Sequence, residues 1–184
     1  MILGLSGYAR SGKDSAADAL TGIGFCRIAF ADKLREFVYA LNPEVDGGPM
    51  GAYHLKEIID QYGWGEYKNT YWGNSIREQL QFIGTDCVRK ILGPDTWMNA
   101  TFNAIDFNKD YVITDVRFPN EADGIRKNGG LVYRVAREGI GPANSHASET
   151  ALDDYSFDGV ITNNGTLNEF HDKVINLFKS KDNE

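Results

Sequence analysis

The chain has 184 residues, 42% of them apolar and 24% charged, a globular composition whose length suits one compact domain with a single core. Its formal net charge of -7 argues against nucleic acid or an anionic membrane surface as the main partner, because binding to polyphosphate is driven by basic charge. Only Cys26 and Cys87 are present, without C-x-x-C spacing, which sets aside a disulfide framework and a structural zinc site and fits a reducing cytoplasm.

The N-terminus runs from Met1 through an apolar stretch ending at Ser6 straight into a glycine-rich loop. It has no basic leader and no long apolar segment, so a cytoplasmic protein that does not span a membrane is expected. After the loop, Ala16, Ala17, Leu20 and Ile23 recur at helical spacing until Gly22 and Gly24 stop the pattern. Phe25 to Phe30 is the next strand candidate, and Asp32 is placed to cap a helix with Leu34, Phe37, Val38 and Leu41 on its apolar side.

From residue 42 to 74 the composition shifts to Gly, Pro, Tyr and Trp, with a short helical piece around Lys56 to Tyr62. This reads as an insertion over the sheet edge. Its aromatics Tyr53, Tyr62, Trp64, Tyr67, Tyr71 and Trp72 are read as packing residues, although such rings can also stack a nucleobase. Ser75-Ile76-Arg77-Glu78 has the form of a capping box, and Ile76, Leu80, Ile83, Cys87 and Ile91 then mark a long amphipathic helix. Arg77, Gln81, Thr85 and Arg89 form a stripe on its polar side, each four residues on from the last. Gly93-Pro94-Asp95 interrupts the helix, which resumes from Trp97 to Phe107.

Tyr111 to Asp115 is an apolar strand ending on a carboxylate, and Asn120 opens a helix that Gly129 and Gly130 close. Leu131 to Val135 is a strand, 137–149 a candidate mobile loop, and Gly159 to Thr162 the last strand. Thr166-Leu167-Asn168-Glu169 is a second capping box, before a terminal helix with Leu167, Phe170, Val174 and Phe178 inward. Strands alternating with helices predict an α/β domain with a mainly parallel five-stranded sheet flanked by helices, whose ligands lie at the carboxyl ends of the strands.

The loop from Gly7 to Ser15 reads GYARSGKDS. Small residues let successive backbone N–H groups converge on phosphate oxygens, and the helix that follows adds its positive N-terminal end. Gly7, Ala9, Arg10, Ser11, Gly12, Lys13, Asp14 and Ser15 are the expected phosphate-binding residues, with Lys13 as the mobile charge on the outer phosphates. Where the general G-x-x-x-x-G-K-[ST] loop places a hydroxyl on magnesium, this chain places Asp14, which has the alternative role of capping the helix. Asp115 is positioned to hold magnesium or to cap the next turn. Arg117 would meet a substrate phosphate or pair with Glu121.

Phosphoryl transfer needs positive groups around the moving phosphoryl more than it needs a base. Arg10, Arg35, Arg77, Arg89 and Arg137 are the candidate donors, and Gln81 offers an amide to a base edge. His146, the one histidine of the candidate mobile loop, receives no catalytic role. No H-E-x-x-H, G-x-S-x-G or cysteine-nucleophile context is present, which disfavours protease and esterase chemistry.

The segments GLSGYARSGKDS, FADKLRE, REQLQFIGTDCVRKILGPDTW, ITDVRFPNEADGIRKNGG and ITNNGTLNEF resemble, in matching order over nearly the whole chain, the phage-type deoxynucleoside monophosphate kinases. That resemblance implies a P-loop kinase domain spanning 1–184, in which 42–74 is an insertion or part of the monophosphate-binding region and 137–149 the lid. It implies transfer of the γ-phosphate of ATP to a deoxynucleoside 5′-monophosphate with magnesium, and it is compatible with a homodimer. Lys13, Arg10, Asp115 and Arg137 would be catalytic, and Asp14, Ser15 and Asp115 would order the metal. Asp32, Lys33, Arg35, Arg77, Gln81, Arg89, Trp97 and Arg117 would meet the acceptor, and Asn163, Asn164 and Gly165 would lie beside the donor adenine. Two other activities fit the same loop: a dephospho-coenzyme A kinase, and a nucleotide-binding switch that transfers nothing.

Overall fold

The apolar run Ile2–Ser6 forms β1, all five of its residues buried, as a strand covered on both faces must be. The computed structural model describes residues 1–142 and 147–179. The chain divides into two compact units, Met1–Phe30 with Ala104–Glu184, and Ala31–Asn103.

In the first unit, β1 leads through the glycine loop into α1 (Lys13–Thr21) and then β2 (Cys26–Ile28). The second strand is shorter than its apolar run suggests, because Phe30 already begins α2 (Phe30–Leu41). Asp32 therefore lies in the first turn of that helix rather than at its cap.

The second unit carries the rest of α2, a hairpin of β3 (Glu44–Asp46) and β4 (Ala52–His54), and α3 (Leu55–Glu66). α3 kinks at Gly63, where φ is 70°, close to the expected end at Tyr62. The continuing helical run is α4 (Gly73–Gln81), a π-helical stretch Phe82–Arg89 and α5 (Lys90–Leu92), followed by α6 (Thr96–Phe102). Val38, Val45, Leu55, Ile58, Tyr67, Trp72, Ile76, Ile83, Val88 and Trp97 form this unit's core. The 42–74 stretch thus supplies part of a packed core, and Tyr67 and Trp72 pack as expected while Tyr53, Tyr62 and Tyr71 stay exposed.

Three expectations change within the long helical run. Ser75 is inside α4 rather than capping it, and its Oγ accepts the Asp46 N–H at 2.9 Å instead. The wider π turn inserts one extra residue into the spacing, so the inward position after Ile83 is Val88, five residues on, and Ile91 ends 75% exposed. Of the expected polar stripe, Arg77, Gln81 and Thr85 are exposed and Arg89 is partly buried. The last helix also stops early: α6 ends at Phe102, and Phe107 is exposed.

The chain then returns to the first unit with β5 (Tyr111–Ile113), α7 (Pro119–Lys127), β6 (Leu131–Ala136), α8 (Ala147–Thr150), β7 (Gly159–Thr162) and α9 (Leu167–Lys179). α7 starts at Pro119, one residue before Asn120, with proline in the first turn where its missing N–H costs nothing. The Thr166 box forms as expected: Glu169 Oε2 accepts the Thr166 N–H at 2.7 Å and Thr166 Oγ1 accepts the Glu169 N–H at 3.3 Å. Phe170, Val174 and Phe178 point inward, but Leu167 is exposed. Phe37 and Leu41 of α2 are likewise exposed.

The five-stranded sheet has the order β2-β5-β1-β6-β7, and every neighbouring pair is parallel. Its central strand β1 has later strands on both sides, so the carboxyl end of β1 lies at the switch point where α/β sheets bind ligands. The glycine loop leaves from that end. Leu3, Leu5, Ala16, Leu20, Val112, Val135, Ile161, Phe170 and Val174 pack the core beneath it.

Candidate functional site

The loop is held in shape by two glycines and one asparagine. Gly7 has φ 141° and Gly12 φ 110°; a Cβ on Gly7 would lie 2.3 Å from the Val135 carbonyl, and one on Gly12 would lie 2.3 Å from Asn163 Nδ2. Arg10 is also left-handed, at φ 66°. Asn163 Nδ2–H donates to the Ser11 carbonyl at 2.8 Å, so the loop after β7 clasps the loop after β1. Ser11 is buried, and its Oγ has no hydrogen-bond partner among the described residues.

Lys13 is the first residue of α1. Its Nζ donates to the carbonyls of Gly7 at 2.6 Å and Tyr8 at 2.9 Å. Burial pulls its ammonium below the ordinary lysine range and nearby Arg117 adds to this, while Asp14, Glu149 and Asp115 oppose it. Two concave regions share Lys13. A cleft of about 340 Å³ is lined by Arg10, Gly12, Asp14, Ser15, Arg137, Asn163, Gly165 and Leu167. A narrower cavity is bounded by Gly7, Tyr8, Ala9, Arg117, Arg134, Glu149 and Asp153.

Asp14 sits in the first turn of α1, where the helix dipole favours an acid. It is 81% exposed and forms an ion pair with Arg27 of β2, which also reaches Asp18 at 3.1 Å. Asp115 lies just beyond β5 and accepts the Phe30 N–H at 2.8 Å, so it serves the start of α2. Arg117 does not pair with Glu121 through its side chain. Glu121 is buried and accepts the backbone N–H groups of Arg117 and Phe118, and the Arg117 guanidinium lies 3.4 Å from Glu149.

Magnesium typically takes one or two carboxylates plus substrate phosphates and waters rather than an all-protein cage. The described residues hold no cluster of three or more acidic, histidine or cysteine ligands, but Asp14 and Ser15 line the same cleft as Lys13. That donor set fits a metal shared with phosphate oxygens.

Arg10, Gly12, Lys13, Asp14 and Ser15 thus come together with Arg137, Asn163 and Gly165 around one cleft, and Gly7, Ala9 and Lys13 with Arg117 around the other cavity, while Ser11 lines neither. Asn164 turns to a neighbouring loop, its Oδ1 accepting the Glu138 N–H at 2.9 Å. Asp32, Lys33, Arg35, Arg77, Gln81, Arg89 and Trp97 belong to the second unit. There Arg35 pairs with Asp32 at 3.0 Å and its guanidinium lies 5.9 Å from the Trp64 ring. Lys33 pairs with Glu36 at 2.7 Å. Arg77 and Gln81 are exposed. Trp97 is only 8% exposed, and its Nε1–H donates to the Gly84 carbonyl at 3.0 Å, which packs it into the second unit's core. His146 lies outside the described residues.

Sequence reasoning missed a set of residues around the narrower cavity. Tyr8 donates to Asp153 at 2.6 Å, Arg134 pairs with Asp153 at 3.0 Å, and the Arg134 guanidinium lies 4.7 Å from the Tyr8 ring. The hydrogen bond to Asp153, helped by burial, raises the Tyr8 pKa, and the Tyr8 hydroxyl, helped by Arg134, lowers that of Asp153. The available signal was a charged residue, Arg134, in the middle of an otherwise apolar strand.

The comparisons with known proteins join this geometry. A model of the deoxynucleotide monophosphate kinase family matches residues 53–174. The chain belongs to the deoxynucleotide monophosphate kinase family. A putative deoxynucleotide monophosphate kinase of Acanthamoeba polyphaga mimivirus is 33% identical over 190 residues, covering 95% of this chain and 94% of that protein. The deoxynucleotide monophosphate kinase of Escherichia phage RB69 is 33% identical over 116 residues, 60% of this chain; the match spans 47% of the phage protein's length. A dephospho-CoA kinase from Campylobacter jejuni superposes with a TM-score of 0.53 at 14% identity, over 100% of this chain and 98% of that one. That likeness shows the fold, a P-loop kinase sheet. Family membership makes the chain a nucleotide kinase, an ATP-dependent phosphotransferase.

Proposed function

We propose that the chain transfers the γ-phosphoryl group of ATP to a deoxynucleoside 5′-monophosphate, giving ADP and the diphosphate, with Gly7–Ser15 as the donor site. The observation that carries this reading is the shared position of Lys13 between two cation-bearing concavities, one with Arg10 and Arg137 and one with Arg117 and Arg134. An oxygen of the acceptor phosphate attacks the γ-phosphorus, and the bond from that phosphorus to the β–γ bridging oxygen breaks. Negative charge then spreads over the transferring group, which is where positive donors help most.

The loop amides from Gly7 to Lys13 would hold the phosphates against the start of α1. Lys13 exchanges its bonds to the Gly7 and Tyr8 carbonyls for phosphate oxygens, a stronger charge-assisted pairing. Asp14, Ser15 and Asp115 would hold a magnesium ion, whose contribution is neutralisation of the phosphate oxygens. Asn163 sustains the loop through Ser11, and Gly165 borders the donor cleft with it. In the second unit, Asp32, Lys33, Arg35, Arg77, Gln81 and Arg89 are assigned to the acceptor by family resemblance.

The test is a coupled ADP-release assay with ATP and magnesium across deoxynucleoside monophosphates, ribonucleoside monophosphates and dephospho-coenzyme A. The proposal expects turnover with one or more deoxynucleoside monophosphates and none with dephospho-coenzyme A. Turnover with dephospho-coenzyme A alone, or nucleotide binding without any transfer, contradicts it.

A further inference from the structure

An acid on the wall of a phosphate site opposes its ligand, and Glu149 is such an acid. Its side chain is 16% exposed, and it lines the narrower cavity with Lys13, Arg117 and Arg134. Most charges there are already committed. Asp153 holds the Tyr8 hydroxyl at 2.6 Å and Arg134 at 3.0 Å. Arg134 also donates to the Leu152 carbonyl at 3.0 Å, and Lys13 is bonded to two loop carbonyls.

The Arg117–Glu149 pair differs from these. At 3.4 Å it is longer than the roughly 2.7–2.9 Å usual for a charge-assisted hydrogen bond, and Arg117 is 52% exposed. A guanidinium held loosely by one carboxylate oxygen can trade it for the two oxygens of a phosphate, whose geometry matches its donor fork. Carboxylate and phosphate cannot both sit on Arg117 without mutual repulsion.

We propose that Glu149 is a positioning residue that occupies Arg117 in the place of a substrate phosphate and yields it when that phosphate binds. The inference rests on the nucleotide-kinase reading of the same site. Glu149 keeps Arg117 near the cavity before binding, at the cost of competing with the ligand. Removing its charge therefore tightens phosphate binding but leaves Arg117 less well aligned for transfer. The phosphate concerned belongs either to the donor or to the acceptor.

The experiment is calorimetric titration of ADP, and separately of each of the four deoxynucleoside 5′-monophosphates, into the unaltered chain, Glu149→Gln, Glu149→Ala, Arg117→Gln and the Arg117→Gln/Glu149→Gln pair. Both Glu149 variants are expected to lower the Kd of one ligand class by about threefold to tenfold, and kcat is expected to fall. Tightening for ADP assigns the donor phosphate to Arg117; tightening for the monophosphates assigns the acceptor. In the Arg117→Gln background the gain should vanish, which a purely structural role for Glu149 would not produce. Unchanged or weaker binding in both Glu149 variants while the unaltered chain binds, or a gain that survives Arg117→Gln, overturns this inference alone. Failure of the unaltered chain to bind any of the nucleotides overturns the parent reading and this one with it.

Discussion

The side-chain amide of Asn163 donates to the Ser11 carbonyl at 2.8 Å, joining residues 152 positions apart, and the same amide nitrogen occupies the space a Cβ on Gly12 would need. The loop is therefore shaped by its neighbour as well as by its own glycines. Gly12→Ala combines a left-handed φ with that clash, and is expected to cost about 1–3 kcal/mol and to abolish nucleotide binding. Asn163→Ala should cost about 1 kcal/mol and raise the KM for ATP more than it lowers kcat. Chemical denaturation and initial rates read both.

Lys13→Ala removes a side chain that donates hydrogen bonds to two loop carbonyls. Turnover should fall by about 10²–10³, the usual effect of losing one donor to a developing negative charge, while the melting temperature changes little. A variant with undiminished ADP production contradicts the assigned role.

Asp14→Ser restores the hydroxyl of the general loop and releases Arg27 from its pair. It is expected to bind metal-free ATP more tightly than the parent does, because a carboxylate close to a triphosphate is favourable only with a cation between them. The ratio of ATP affinities with and without magnesium is the readout. Equal ratios in both proteins would leave Asp14 a partner of Arg27 and of the helix dipole.

Tyr155 donates to Asp123 at 2.7 Å and accepts from Arg126 at 3.1 Å. Burial, helped by the Asp123 hydrogen bond, pushes its pKa up to about 12. Because the folded chain holds this proton more tightly than the unfolded chain, the stability it contributes is complete below the ordinary tyrosine pKa of about 10 and is lost as pH rises toward 12. Tyr155→Phe should be about 1 kcal/mol less stable than the parent at neutral pH, and the gap should narrow across that alkaline window. Denaturant midpoints of the two proteins at several pH values measure it.

Much of the fold was legible because its signals are local. The strands Ile2–Ser6 and Gly159–Thr162, the Thr166 capping box and the helical piece from Lys56 to Tyr62 all announce themselves within a few residues. What failed depended on longer spacing or on competition. No pattern in the helix after Gln81 signals its π turn, so regular helical spacing points Ile91 inward where the structure exposes it. Ser75 has a capping sequence, yet its hydroxyl goes to Asp46 because the helix has already begun at Gly73.

At the site, the loop residues carried their own motif, whereas their partners came from distant strands. Arg27 looks like an ordinary surface residue in sequence and holds Asp14 in the structure. Glu149 marked only the end of a loop and meets Arg117. Asp115 was open between metal and cap; the structure gives it the start of α2 to serve, and that bond does not exclude a metal.

The most direct measurement of the central claim follows deoxynucleoside diphosphate formation by ³¹P NMR, with ATP, magnesium and a mixture of the four deoxynucleoside monophosphates, for the unaltered chain and Lys13→Ala side by side. The expected result is stoichiometric appearance of ADP and a deoxynucleoside diphosphate with the unaltered chain, and loss of nearly all of that rate in the variant. ATP consumed to ADP and inorganic phosphate with no diphosphate formed on the acceptor, or equal rates in the two proteins, would contradict it.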